Sequence, residues 1–358
     1  MNRKEQLLNI ANSIKTSEGD YFNFNETELI EELNHQQENK SSLAIKILSI
    51  FGGILSSFAF LGFLLIAGLY DSNIGMLVFG VGFIAGSVLI NKAQDKLITD
   101  TLSVSLYILG LALIGFSLSD IDFNENLIIL IFLCIAISSL LITQNYILSF
   151  ISILTINGSL LALIVSNDLY SLIHLYITIN TALLVFIFLN EAKITTYNNM
   201  FSKLYNPSRI AIVISLVTGL IVVGTKDFLP ISTHIIWISS LVFFVAIIYL
   251  ISKIVSVLHI KTSKNKNLIY LLSGNILIPT VLSPSISGAL LIVLLSFYVN
   301  YKTGLVIGII SFIYFISQYY YDLSFTLLTK SILLFSSGIL FIAFYLIINK
   351  KLLPNEKN

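Results

Sequence analysis

Lys330 places an ionisable side chain inside a long apolar stretch of the sequence, residues 324–349. Thr326 precedes it by one helical turn and Asp322 by two turns, so these side chains share one face of a helix, and Ser331 follows directly. A charged side chain at the centre of a membrane helix costs about 2.5–3.5 kcal/mol on insertion scales, so it indicates a function or a strong partner. Two interpretations are open. Lys330 pairs with Asp322 and locks the last two helices together, or its ammonium faces a cavity that binds an anion, a carboxylate or an acidic group of a partner.

Four further polar residues lie within apolar runs and extend the list of intramembrane candidates. Asn157 and Asn180 lie near the middle of their runs, where an amide side chain often hydrogen-bonds to a neighbouring helix. His174 lies near the end of its run, and because a single histidine cannot form a metal site, we expect a hydrogen-bonding role. Asn275 lies beside glycine and proline residues that interrupt its run, and broken helices of this kind often line transporter sites.

Motifs for catalysis are missing from the sequence. It contains no HExxH pair, no GxSxG elbow and no glycine-rich phosphate loop, and no apolar run holds two carboxylates. Cys134 is the only cysteine, and this excludes an internal disulfide and a cysteine-based zinc site. We therefore expect no catalytic residue, no metal site and no cofactor, and we do not expect an enzyme.

The elements that position these side chains are predicted to be membrane helices. Of the 358 residues, 56% are hydrophobic and 11% are charged, and the mean hydropathy is +0.92. Soluble domains carry about 25% charged residues, so the solvent for most of this chain must be the lipid bilayer. The net charge of +1 argues against nucleic acid as a partner.

The apolar runs predict an all-α, polytopic bundle of about twelve membrane spans. Each run is near the ~20 residues that cross ~30 Å of hydrocarbon. The ninth and tenth contain glycine, asparagine and proline, so they are expected to be short, kinked or re-entrant, and ten spans plus one broken pair is the alternative. The predicted spans are residues 45–70, 73–91, 101–119, 126–143, 146–166, 169–190, 209–226, 233–251, 267–282, 285–300, 303–320 and 324–349.

The distribution of basic residues predicts that both chain ends lie in the cytosol. With alternating spans and a cytosolic N-terminus, the inner segments hold 18 of the 20 Lys and Arg residues, among them Lys193, Lys203 and Arg209. The outer loops hold Lys226 alone, and Lys330 belongs to no loop. Such an excess of positive charge on one side is typical of the cytoplasmic side of a membrane protein.

Three regions of different composition divide the chain. Residues 1–40 are acidic and show the helical spacing of apolar residues, which predicts a short cytosolic helical hairpin. Residues 41–352 form the predicted transmembrane domain, and residues 353–358 form a cytosolic tail. Within the domain, Gly82 and Gly86 are expected to form a small-xxx-small helix contact, and the polar loop 191–208 is expected to carry a surface helix.

The stretch YYYDLSFTLLTKSILLFSSG, residues 319–338, resembles the C-terminal signature of a bacterial membrane family catalogued as domain of unknown function 4401. Residues 47–68 and 97–115 are similar to its first and third spans, and the resemblance covers about residues 41–350. It implies a multi-pass protein of the bacterial cytoplasmic (inner) membrane without implying an activity. It also implies a partner, a small membrane-anchored protein of the GDYXXLXY type. The signature residues matched are Tyr320, Tyr321, Asp322, Leu323, Leu327, Leu328, Lys330, Ser331 and Gly338.

Two classes of function are compatible with these features. The first is a structural or assembly component that works with a membrane or periplasmic partner, in which Lys330 pairs with Asp322 or with the partner. The alternative is a transporter or permease for a small, anionic solute, in which Lys330, Asn275, Asn157 and Asn180 converge on one outward-open cavity. A homo-oligomer is compatible with both classes.

Overall fold

A computed structural model gives the architecture of the chain. It describes residues 13, 16, 43–93, 97–143, 145–225, 229–231, 235–258, 263–277, 280, 283–322, 328, 329, 331, 332, 335, 336, 338, 339, 342, 343 and 346. The hairpin predicted for residues 1–40 therefore lies outside the described residues, apart from Ser13 and Thr16, which are helical. Most of the predicted last span, 324–349, lies outside them too.

The described part of the chain is helical and contains no β-strand. A short 3₁₀ helix, Leu69–Asp71, follows the first of its α-helices. In chain order these are α1 (Leu43–Ile66), α2 (Asn73–Ala93), α3 (Leu97–Asp120), α4 (Glu125–Ile142), α5 (Tyr146–Ser166), α6 (Leu172–Leu189), α7 (Glu191–Tyr197), α8 (Asn199–Gly224), α9 (Ile236–Val257), α10 (Ser263–Leu277), α11 (Pro284–Tyr298) and α12 (Lys302–Asp322).

Eight of the described helices, α2–α6, α8, α9 and α12, are long and apolar enough to cross a membrane. The prediction of an all-helical, multi-pass membrane protein is confirmed. The predicted ninth and tenth spans correspond to α10 and α11, which have 15 residues each. At 1.5 Å per residue each is about 22 Å long, which is short of the ~30 Å hydrocarbon core.

The helix predicted for residues 209–226 begins ten residues earlier than expected, at Asn199, and continues through Pro207. The polar loop predicted before it carries the surface helix α7 and then the first turns of α8. Leu204 and Tyr205 explain the difference, because both side chains are buried and attach the polar start of α8 to the rest of the fold.

Residues Met1–Asp122 form one compact unit, in which α3 packs against α1 and α2. Helices α2 and α3 approach closely at Gly80 and Gly110, because a Cβ atom on Gly110 would lie 2.7 Å from the carbonyl oxygen of Gly80. The expectation of a helix contact through both Gly82 and Gly86 was wrong for Gly82, whereas a Cβ on Gly86 would lie at an ordinary contact distance of 3.9 Å from Leu106 Cδ1 on α3. A Cβ on Gly82 would meet no atom within 4 Å. Two residues turn a helix by about 200°, so Gly80 and Gly82 face different directions.

Serine side chains add bonds between helices in this first unit. The Ser57 hydroxyl on α1 lies 2.7 Å from the Gly53 carbonyl oxygen and 3.1 Å from that of Ser105 on α3. The Ser117 hydroxyl on α3 donates to the Asn73 carbonyl oxygen at 2.8 Å, at the start of α2. These bonds, like the glycine contacts, require the helix backbones to lie close together.

Residues Phe123–Asn358 form a second compact unit, whose described helices are α4–α12. Asn124 and Asn145 cap α4 and α5 by accepting from backbone N–H groups two residues later, at 2.9 and 3.0 Å. Helix α6 packs between α8 and α9, and α11 packs against α8, α9 and α12. A core of large apolar side chains joins these helices, and its members include Leu184, Leu216 and Phe243.

Candidate functional site

Several polar side chains of helix α6 are buried in the interior of the second unit. Two of the predicted candidates lie on it: His174 is 3% exposed and Asn180 is 2% exposed. His174 Nδ1 lies 2.8 Å from the Ser239 hydroxyl on α9, which links the two helices near their N-terminal ends. The expected hydrogen-bonding role of His174 agrees with this contact.

Several polar atoms on this face are buried without a hydrogen-bond partner among the described residues. They are His174 Nε2, Asn180 Oδ1 and Thr181 Oγ1 on α6, together with Ser215 Oγ on α8. Nearby, the Tyr176 hydroxyl donates to the Ser215 carbonyl oxygen at 3.2 Å. Buried polar groups are nearly always paired, so each unpaired atom here needs an explanation, such as water, an ion or a solute.

Among the described residues, the hydrogen bonds that the two asparagine side chains make lie within their own helices. The Asn180 amide donates to the Tyr176 carbonyl oxygen at 3.1 Å, within α6. The Asn157 amide donates to the Ile153 carbonyl oxygen at 3.0 Å, within α5, and its side chain is half-buried. Asn180 therefore keeps an oxygen for another partner in the interior.

A groove of about 500 Å³ runs between α6 and α9. We call it the α6–α9 groove. Its walls are mostly apolar and include small residues on both helices, Ala182 on α6 and Ala246 on α9. Thr178 and Thr181 also line it, and the hydroxyl of Thr181 is one of the unpartnered atoms described above. The His174–Ser239 contact precedes the groove on both helices.

Arg209 forms a second polar cluster, which the sequence analysis did not identify. It was counted as a cytosolic basic residue, yet its side chain is 13% exposed. Its guanidinium carbon lies 3.8 Å from the centre of the Tyr301 ring and 5.0 Å from that of Tyr205. Its Nη1 donates to the Tyr205 hydroxyl at 3.3 Å, and Nη2 donates to Asn206 Oδ1 at 3.2 Å.

The Arg209 cluster ties α7 and α8 to the connection that precedes α12. Glu191, the first residue of α7, places Oε2 3.9 Å from Arg209 Nη1, and its side chain is 51% exposed. Tyr301 also packs edge-on against Phe188 of α6, with 5.8 Å between ring centres. Burial raises the pKa of the Tyr301 phenol, while the Arg209 charge opposes that shift. The phenol therefore stays neutral and stacks on the cation.

A second groove, of about 610 Å³, adjoins this cluster between α6, α7 and α8. We call it the α6–α7–α8 groove. Leu183 and Ile187 of α6 form one wall, and Phe201 of α8 forms another. Lys193 of α7 lines the groove, as does Tyr205, whose hydroxyl accepts the hydrogen bond from Arg209.

Residues 42–351 match the sequence pattern of a family described as a domain of unknown function, DUF4401. The chain belongs to this family. The match confirms the resemblance inferred from the C-terminal motif and covers both compact units apart from their ends. No curated protein and no solved structure matches the chain. A DUF4401 assignment carries no activity, so the function has to be argued from the geometry.

The structure describes part of the C-terminal signature of this DUF4401 chain. Asp322 is the last residue of α12 and is half-buried, and Ser331 is helical and exposed. Thr326 and Lys330 lie outside the described residues, so the expected pair of Lys330 with Asp322 stays a prediction. Asn275 lies near the end of α10 with an exposed side chain.

Proposed function

We propose that this chain, an integral membrane protein of a family of unknown function, is a structural or assembly component. In this proposal it holds a membrane-spanning helix of a partner protein in the α6–α9 groove. The observation that carries this proposal concerns Thr181, a groove-lining residue that is 1% exposed and whose buried hydroxyl has no hydrogen-bond partner among the described residues.

The lining of the groove suits a helix better than it suits a polar solute. Small side chains let helix backbones approach in a membrane, and a hydroxyl at such an interface bonds to the second helix. Ala182 and Ala246 are the small side chains in this groove, and Thr181 carries the hydroxyl. From Thr178 to Leu189 the groove follows α6 for twelve residues, about 17 Å at 1.5 Å per residue. That length suits a helix that lies along α6.

Site-specific photocrosslinking in native membranes tests this proposal. A benzophenone amino acid at Ala182, inside the groove, should give a discrete product with one protein, and the crosslinked peptide should lie in an apolar segment. The same group at Leu175, an exposed residue of α6 outside the groove, should give lipid adducts alone. Ala246→Phe should narrow the groove and abolish the product at Ala182. Identical products from Ala182 and Leu175, or a product made of two copies of this chain, would contradict a partner helix in the groove.

The proposal includes an orientation: about twelve spans in the bacterial inner membrane, with both termini in the cytosol. The excess of basic residues in the inner segments supports it. In a Cys134→Ala background, Asp122→Cys and Lys226→Cys should react with an impermeant thiol reagent from outside, and Lys264→Cys from inside. The reverse pattern of labelling would overturn the orientation.

A second candidate function is transport of a small, anionic solute, with Lys330 facing an outward-open cavity. The unpartnered atoms of His174, Asn180 and Ser215 favour it, because they offer hydrogen bonds inside the second unit. Lys330→Met separates the two functions. A variant that accumulates and folds normally but loses cellular function supports transport, whereas failure of the variant to insert or accumulate supports the structural component.

A further inference from the structure

We propose that the α6–α7–α8 groove is a binding site for one anionic phospholipid, with an acyl chain along α6 and the phosphate at the end marked by Lys193. This site shares Phe186 with the α6–α9 groove but is otherwise lined by different residues, and its argument does not depend on the proposed partner helix. Its volume of about 610 Å³ lies in the usual range of ligand pockets, ~300–1,000 Å³.

The order of residues along the groove matches an amphiphile. Leu183 and Ile187 belong to the last two turns of α6, a helix apolar enough to span the membrane. Lys193 follows the end of that helix by one turn of α7. The groove therefore passes from an apolar wall to a basic residue at the point where the chain leaves the apolar helix. A phospholipid presents the same order, from acyl chain to phosphate.

The charges beside the groove favour an anion. Within the described part of the chain, no carboxylate lies within 4 Å of the Lys193 amine. Behind Tyr205, Arg209 adds a second positive charge, and its Nε is buried with no partner among the described residues. Among the described residues, the carboxylate at this cluster is that of Glu191, which is half exposed and 3.9 Å from Arg209. The two positive charges of Lys193 and Arg209 therefore outnumber the single, half-exposed carboxylate of Glu191. Basic pockets between membrane helices bind anionic head groups.

Aromatic side chains at the groove also fit a membrane boundary. The ring of Tyr197, which is strongly exposed, packs edge-on against Phe201 with 5.7 Å between ring centres, and both line the groove. Amphipathic aromatic rings prefer the level of the lipid head groups. The cation–aromatic contacts of Arg209 hold the start of α8, and hence this wall of the groove, in place.

Quenching of a single tryptophan by brominated lipids tests the proposal on the full chain. Trp237 is the only tryptophan, so Trp237→Phe together with Phe201→Trp leaves one reporter in the groove. The purified protein in nanodiscs of phosphatidylcholine is compared across mixtures that contain chain-brominated phosphatidylglycerol or chain-brominated phosphatidylcholine. We expect half-maximal quenching at a roughly fivefold lower fraction of phosphatidylglycerol, the effect of one lysine near a membrane surface.

Charge variants in the same background separate a specific site from general attraction. Lys193→Gln should remove the preference for phosphatidylglycerol, and Lys193→Arg should keep it. Lys203→Gln is the matched control, because Lys203 is exposed on α8 and does not line the groove. Equal quenching by both lipids in the parent protein would overturn the proposal. So would an equal loss of preference in the Lys193 and Lys203 variants, since that would indicate surface charge without a site. Circular dichroism confirms that each variant keeps its helices.

Discussion

The two compact units of this membrane protein differ in the size of the apolar core that each contains. In the first unit, α2 and α3 meet backbone to backbone at Gly80 and Gly110, and serine hydroxyls bond to carbonyl oxygens of neighbouring helices. Its cluster of buried apolar side chains is small, centred on Leu64, Met76 and Leu113. The second unit also has close helix contacts: a Cβ on Gly308 of α12 would lie 3.0 Å from the Val293 backbone nitrogen of α11, and the Ser285 hydroxyl donates to the Leu220 carbonyl oxygen at 2.9 Å. It differs from the first unit in its extensive core of large apolar side chains.

The α6–α9 groove and the α6–α7–α8 groove both lie in the second unit. Helices in backbone contact leave no space between them, so the α2–α3 interface is suited to holding two helices together. Helices separated by side chains leave grooves where the side chains are small, as between α6 and α9. They also bury polar atoms such as Asn180 Oδ1 that a ligand or a partner could satisfy.

The strongest test of this comparison is Gly110→Ala in the first unit. The new Cβ would lie 2.7 Å from the Gly80 carbonyl oxygen and 2.5 Å from Ile84 Cγ1, so the helices must separate. Overpacking of this kind typically costs 1–3 kcal/mol, and we expect a loss of about 3 kcal/mol because a backbone atom is in the way. Unfolding in mixed detergent micelles, followed by circular dichroism, measures the change.

Gly82→Ala on α2 is the matched control for Gly110→Ala. A Cβ there meets no atom within 4 Å, and alanine favours a helix over glycine by up to about 1 kcal/mol. The control should therefore leave the stability unchanged or raise it. If both variants lost the same stability, the backbone contact at Gly80 and Gly110 would not hold the first unit together.

An intermediate effect is expected for Arg209→Gln in the second unit. The substitution removes the stacking on Tyr301 at 3.8 Å and the hydrogen bond to Tyr205, both in a largely buried setting. Desolvated cation–aromatic contacts reach about 2 kcal/mol, so we expect a loss of that size in the free energy of unfolding. The same micelle assay measures it.

Glu191→Gln tests which contact of Arg209 contributes most to the free energy of unfolding. The Glu191 side chain is 51% exposed and 3.9 Å from Arg209, and exposed pairs contribute about 0–1 kcal/mol. We expect a loss of less than about 0.5 kcal/mol. A loss as large as that of Arg209→Gln would assign the stability of the cluster to its ion pair and weaken the role of the aromatic rings.

The smallest expected effects compare one serine from each unit. Ser239→Ala removes the partner of His174 Nδ1 at 2.8 Å and leaves a buried ring nitrogen without a hydrogen bond, which costs about 1 kcal/mol. Ser57→Ala removes a donor from carbonyl oxygens that also accept helix hydrogen bonds, so it should cost less than about 0.5 kcal/mol. Equal losses in the unfolding assay would show that buried polar contacts have the same role in both units.

The candidate site could be predicted in part. His174 and Asn180 are visible in the sequence because a polar residue inside an apolar run has few ways to avoid the interior of a membrane protein. Arg209 could not be found in this way. It lies at the end of an apolar run, where most basic residues are solvated, and its burial comes from Tyr205 of its own helix and from Tyr301, about ninety residues away.

The sequence by itself determined that this is a multi-pass helical membrane protein of the DUF4401 family, because hydrocarbon requires each apolar run to satisfy its own backbone as a helix. The tertiary structure alone decided which faces of those helices meet. Gly80 rather than Gly82 contacts α3, and Thr181 lines a groove while Asn180 faces the core. Lipid is as apolar as leucine, so hydropathy does not distinguish a face that meets lipid from one that meets another helix.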